Sequence, residues 1–176
     1  MLDVARDSNP VATFRSAAER YVAVIEGAEG QSVERLFADL VEVLPVLYER
    51  AARLPHPGVS GELPDTARLT HEQWTEVCDR LERVFGADDL YWTVIPFGDK
   101  KREELAGSLA DDLADIYRDV KDGLTLLAAG ESESHIVWEW RFGFWSHWGT
   151  HAVAALRVIH AHLVDMRGPL YDQSHV

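Results

Sequence analysis

Only one cysteine, Cys78, occurs among the 176 residues, so no disulfide can form within the chain. Long apolar runs are missing as well. No stretch reaches the roughly 18 uncharged apolar residues of a membrane-spanning helix. The richest segment, Ile136 to Leu163, is interrupted by Glu139, Arg141, His147, His151, Arg157, His160 and His162. Positive charge is scarce: 17 Lys and Arg stand against 30 Asp and Glu, a formal net charge of −13. That balance repels phosphate backbones and anionic lipid surfaces, so neither nucleic acid nor a membrane is expected as a partner. Fourteen of the 17 basic residues are Arg, yet they form no cluster suited to phosphate. The opening Met1-Leu2-Asp3-Val4-Ala5-Arg6-Asp7 lacks the charged-then-apolar pattern of a signal peptide. With a lone cysteine this predicts a reduced, cytoplasmic protein. A glycine-rich phosphate loop, a Gly-x-Ser-x-Gly elbow and a Cys-x-x-Cys pair are all absent, so no named reaction follows from a motif.

What is present suits a globular core: 47% of residues are hydrophobic and 27% charged. The length predicts a single domain over residues 1–176, with about 1–7 and 166–176 flexible. Five helical segments can be placed. The first begins at Asn9 as N-cap with Pro10 at the first helical position, carries Phe14, Ala18, Tyr21, Val22 and Ile25 on one face, and ends at Gly27 or Gly30. The second runs from Ser32 to about Leu54, with Pro45 expected to kink or split it. His56 to Asp65 reads as a loop. The third opens on a capping box, Thr70 with Gln73, buries Trp74, Val77, Cys78, Leu81 and Phe85, and stops at Gly86. Cys78 on that face reads as a small buried hydrophobe. Tyr91 to Phe97 has extended character, but one such run cannot make a sheet. The expected architecture is an all-α bundle of about five main helices with a long, largely buried C-terminal helix.

The fourth segment, about Ser108 to Ala129, has an unusually one-signed polar face. At 100° per residue, Ser108, Asp111, Asp112, Asp115, Asp119 and Asp122 fall in one arc, opposite Leu109, Leu113, Ile116, Tyr117, Val120, Leu124 and Leu127. Like charges at this spacing repel, and Arg118 and Lys121 offset them only in part. A solvated acidic face accounts for this arc without a ligand. A site for a hard cation such as magnesium accounts for it with one.

The fifth segment, about Ser134 to Asp165 with a bend near Gly143 or Gly149, is apolar nearly all round and belongs at the centre of the bundle. His147 and His151 lie one turn apart on it, away from the narrow stripe of Glu139, Ser146, Thr150 and Arg157. Buried imidazoles must be hydrogen-bonded, paired with acids or bound to metal. The spacing suits two ligands on one ion, with Asp111, Asp115 or Glu139 able to add carboxylates. The Glu of the zinc-protease motif is absent, since position 148 is Trp. Trp138, Trp140, Trp145 and Trp148 lie within one short stretch and read either as core or as an aromatic pocket.

The strings SLADDLADIYRDVKDGL at 108–124 and WEWRFGFWSHWGTHAVAALRVIHAHL at 138–163 resemble a bacterial family known only as a domain of unknown function. The resemblance extends from the first helix to about Leu163. It implies that Asp111, Asp112, Asp115, Tyr117, Asp119, His147, Trp148, Gly149 and His151 belong to the family pattern, and it implies no activity. Asp111-Asp112-x-x-Asp115 is similar to the diphosphate motif of terpene synthases, but the chain is too short for that fold and lacks a second metal motif. The His147/His151 pair is similar to the metal-binding last helix of DinB-like bundles, which need a further His on an earlier helix. Here only His56 and His71 offer one.

Three function classes follow. One is a protein-interaction or accessory module, with a protein partner or a homodimer, a structural network of Asp111, Asp112, Asp115, Asp119, His147 and His151, and the acidic helix turned to a basic partner. The second is a divalent-metal-binding protein, and on that reading a metal-dependent hydrolase, holding zinc, iron, manganese or magnesium through Asp111, Asp115, His147 and His151. It requires the acidic and histidine faces to meet. The third is a small-molecule binder with an aromatic pocket lined by Trp138, Trp140, Trp145 or Trp148.

Overall fold

The computed structural model describes residues 9–58, 68–94 and 104–167. Six α-helices carry most of them: α1 Pro10–Glu26, α2 Val33–Ala52, α3 His71–Phe85, α4 Leu109–Ala128, α5 Glu133–Gly143 and α6 Gly149–Arg167. A π-helical turn, Phe144–Trp148, joins α5 to α6. The all-α bundle is as expected, and none of its helices among the described residues is long and apolar enough to cross a membrane. Of the ends expected to be flexible, 1–7 and 168–176 lie outside the described residues, while 166 and 167 close α6. The expected loop at 56–65 is described only to Gly58.

Local chemistry sets the helix starts. Asn9 Oδ1 accepts from the Val11 N–H at 3.0 Å with Pro10 in the first turn, and Thr70 and Gln73 form the reciprocal capping box. α2 runs unbroken through Pro45, so the expected split does not occur. Packing of Leu40, Val43, Leu44 and Leu47 in the core outweighs the backbone hydrogen bond that Pro45 removes.

Two expectations are corrected. First, Leu90–Val94 does form a sheet: it pairs antiparallel with Glu104–Ser108, Tyr91 opposite Gly107 and Trp92 opposite Ala106. These strands, β1 and β2, are anchored to α4. Buried Asp89 accepts from the Ala110 N–H at 2.7 Å and the Ser108 hydroxyl at 3.2 Å, so a carboxylate sits at the positive end of α4. Gly107 matters because a Cβ there would enter the Tyr91 ring.

Second, α4 is the centre of the bundle, not the C-terminal segment. It packs against α1, α3, α5, α6 and the hairpin. One face buries Leu109, Leu113, Ile116 and Val120, and the Tyr21 hydroxyl donates to the Leu113 carbonyl at 2.8 Å. Its acidic face is covered too: Asp112 is 6% and Asp122 7% exposed. The C-terminal segment is buried along one side by Trp140, Phe144, Trp148, Ala152, Ala155 and Ile159, but shows Phe142, Trp145 and Val153 to solvent. Trp140 lies directly on Gly123 of α4, where a Cβ would overlap the indole, and donates to the Val120 carbonyl at 3.2 Å.

Candidate metal centre

The acidic face of α4 meets the π-helical turn and α6, so the faces carrying Asp and His come together. His147, from the widened turn, places Nδ1 2.9 Å from Asp119 Oδ2. His151, one turn into α6, places Nδ1 2.7 Å from Asp112 Oδ1. A carboxylate only accepts, so each Nδ1 carries a proton, and in the neutral tautomer this selects, Nε2 presents a lone pair. Both Nε2 atoms turn toward the same atom, Asp115 Oδ2, at 3.5 and 3.6 Å. That is too long for an N–H···O hydrogen bond. It is close to the roughly 3.3 Å that separates ligand atoms on one tetrahedral ion with bonds of about 2.0 Å. The three ligand atoms all lie within 4.8 Å of one another. Gly149 serves the same turn, because a Cβ there would meet the Phe144 carbonyl that the π geometry brings inward.

The surrounding groups hold these side chains in place. Asp112 gives Oδ1 to His151 and accepts the Tyr91 hydroxyl on Oδ2 at 2.5 Å. Asp115 turns Oδ1 to the Arg118 guanidinium at 2.9 Å, leaving Oδ2 for the centre. Arg118 Nε stands 3.9 Å from Asp119 Oδ1. The Asp112 hydrogen bond raises the pKa of His151 first, with burial opposing, and the Asp112 and Asp115 charges raise it further. Burial, then the Asp115 and Asp112 charges, push Asp111 up.

The sequence candidates therefore divide. Asp112, Asp115, Asp119, His147 and His151 come together. Asp111 does not: among the described residues it has no ion pair or hydrogen bond to either histidine, and its backbone N–H bonds the Ser108 hydroxyl. Glu139 is likewise apart, paired to Arg68 at 2.6 Å. A freely solvated acidic face does not describe α4, since Asp112 and Asp122 are buried and the Asp115 side chain is 13% exposed.

The four tryptophans are placed differently. Trp140 and Trp148 are core, whereas Trp145 is 62% exposed and Trp138 stacks on Phe142. A cleft of about 320 Å³ does open beside His147, with Trp138, Trp140, Phe142, Asp119 and Glu139 on its walls. Sequence reading missed Tyr91 and Arg118 as parts of the site. Arg118, three residues after Asp115, carried a readable signal. Tyr91 did not, because its role depends on the hairpin.

A helical bundle with a partly buried Asp–His cluster between its central helix and its C-terminal segment is the class that fold and site define. The chain belongs to the family described as a domain of unknown function, DUF5063, whose profile covers residues 7–165. It is also similar to the crystal structure of protein BF1032 from Bacteroides fragilis, with 23% identity and a TM-score of 0.77 over 93% of this chain and 98% of that one. At that identity the likeness is one of fold. No curated protein matches.

Proposed function

We propose that this chain binds one divalent transition-metal ion through His147 Nε2, His151 Nε2 and an Asp115 carboxylate oxygen. The observation that carries this reading is the convergence of two imidazole nitrogens on Asp115 Oδ2 at 3.5 and 3.6 Å, each imidazole being fixed by a second carboxylate at its Nδ1. Carboxylate–imidazole pairs of this kind orient metal-ligating histidines and raise their basicity. Two nitrogens and one oxygen suit zinc, iron or manganese; magnesium favours all-oxygen shells.

Three protein ligands leave a position for water, and the His147 side chain is 39% exposed at the edge of the cleft. Hydrolysis by a metal-activated water is the reaction class such a set serves. Within it, Asp112 and Asp119 hold the imidazoles in one tautomer, and Arg118 holds Asp115 with one oxygen free. The competing reading is a purely structural Asp–His network. It draws on the complete pairing of Asp112 with Tyr91 and His151.

Metal content of untagged protein by mass spectrometry, beside a His147→Ala/His151→Ala variant, decides between them. Near-stoichiometric zinc, iron or manganese, lost in the variant, is expected. No bound metal after all three are supplied overturns the metal reading and leaves the network structural.

A further inference from the structure

We propose that the cleft beside His147 is a binding site for a planar aromatic cation. Trp138 and Phe142, one turn apart on α5, stack with centroids 5.1 Å apart and planes 6° from parallel. Both line the cleft, and Phe142 is 58% exposed. A flat ring entering the cleft can pack against the open side of this stack at little cost in ordering, because the stack already exists. The cleft, at about 320 Å³, is at the lower end of small-molecule sites and suits one ring with a short substituent.

Charge selects the sign of that substituent. Asp119 and Glu139 face the cleft, and Arg68, ion-paired to Glu139, is the balancing guanidinium. The Asp119 charge also reaches Asp122. A net charge of −13 over the chain offers no background to reverse this sign. Aromatic faces attract cations through the same negative potential that repels anions. Gly143 keeps the inner end open: a Cβ there would stand 3.4 Å from Asp119 Oδ2. A cationic group placed at this end lies beside Asp119 and His147. Binding of the ring is independent of an ion; only its place relative to a metal-bound water rests on the metal reading.

Three probes of one shape separate charge from stacking: benzamidine, benzamide and benzoate. Each is titrated into the full chain in EDTA and followed by NMR or calorimetry. Saturable benzamidine binding is expected, about tenfold tighter than benzoate, with benzamide between. Trp138→Ala and Phe142→Ala are each expected to weaken all three by about fivefold. Glu139→Gln narrows the spread between benzamidine and benzoate. Circular dichroism and melting temperature establish that each variant is folded. Benzoate binding as tight as benzamidine, no saturation by benzamidine at about 10 mM, or unchanged affinity in both folded aromatic variants overturns the proposal. Benzamidine binding in a protein that takes up no metal removes the metal reading and leaves this one standing. Metal uptake without probe binding does the reverse.

Discussion

Replacing Asp115 by Asn separates a metal ligand from a structural acceptor, because the two roles give opposite signs in EDTA. Asp115 has like charges at Asp111, Asp112 and Asp119, one turn before and after it on α4. Each such pair costs roughly 0.2–0.5 kcal/mol, so neutralising Asp115 recovers about 1 kcal/mol. Against this stands the lost ion pair to Arg118 at 2.9 Å, which is partly exposed and contributes about 0.5 kcal/mol. Neither Nε2 lies within hydrogen-bond distance of Asp115, so no such bond is lost in the variant. The metal-free variant should therefore melt level with the wild type or about 1–2 °C above it. Saturating zinc reverses the order. A ligand at 100 times its Kd stabilises by about 2.7 kcal/mol, or roughly 5–10 °C for a chain of this length. Asp115→Asn, with one of three ligands gone, should lose most of that gain. The assay is scanning calorimetry of both proteins in EDTA and in zinc. A fall of about 2 kcal/mol or more in the EDTA melt of the variant, with no zinc effect on the wild type, refutes the reasoning.

Asp112→Asn leaves the three ligands in place but loosens His151; zinc affinity should drop about 10- to 100-fold by competition with a chelating dye, while the protein stays folded. Gly123→Ala drives a methyl into the Trp140 indole and should cost about 2 kcal/mol, seen as a lower urea midpoint; an unchanged midpoint would show that Trp140 can move aside. Asp122 has its pKa pushed up to about 6 by burial, against the Leu69 N–H and Arg68, which pull it down. A carboxyl raised on folding from 3.8 subtracts stability as pH rises through about 4 to 6, and the cost is complete above that. Asp122→Asn should then gain roughly 1–2 kcal/mol at pH 7.5, after allowance for screening, and nothing near pH 3.5; equal melts at both pH values would count against a buried charge. Cys78 is buried and its thiol is pushed up to about 12, first by burial, so a disulfide reagent at pH 8 should label it only after denaturation.

Helix starts were legible because caps are local. Asn9-Pro10 and Thr70-x-x-Gln73 each satisfy their own backbone within three residues, and the structure forms both. The aspartate arc of α4 and the His147/His151 pair were legible as one-sided faces, since helical periodicity alone places them. Their meeting was not, because periodicity says nothing of which neighbour covers a face. Asp111 shows the limit: it shares the arc with Asp115, yet one step around the helix takes it out of the cluster. The hairpin escaped for a different reason. Glu104–Ser108 reads Glu-Leu-Ala-Gly-Ser, with little strand propensity, and it pairs only because Asp89 and Ser108 fasten it to the start of α4. Helical spacing sets Trp138 and Trp145, seven apart, on a different face from Trp140 and Trp148, but it does not say which face is covered; the packing of Trp140 on Gly123 of α4 does.

The proposed metal reading and the structural reading of the cluster differ in how they account for its inner and outer atoms. A buried ionic network is weak support for stability, since apolar residues of similar size often do as well. A network kept only to specify helix packing would close its hydrogen bonds. Here the outer atoms are closed: Asp112 Oδ2 on Tyr91, Asp115 Oδ1 on Arg118, and both imidazole Nδ1 atoms on carboxylates. The three inner atoms have no partner at hydrogen-bond distance among the described residues, the imidazole nitrogens standing 3.5 and 3.6 Å from Asp115 Oδ2. One carboxylate oxygen thus stands at nearly equal distance from two imidazole nitrogens, and that symmetry is what the proposed metal reading draws on. A divalent ion satisfies all three atoms at once. For that reason the difference between the EDTA and zinc melts, and not the stability of either form alone, tests whether the cluster holds an ion.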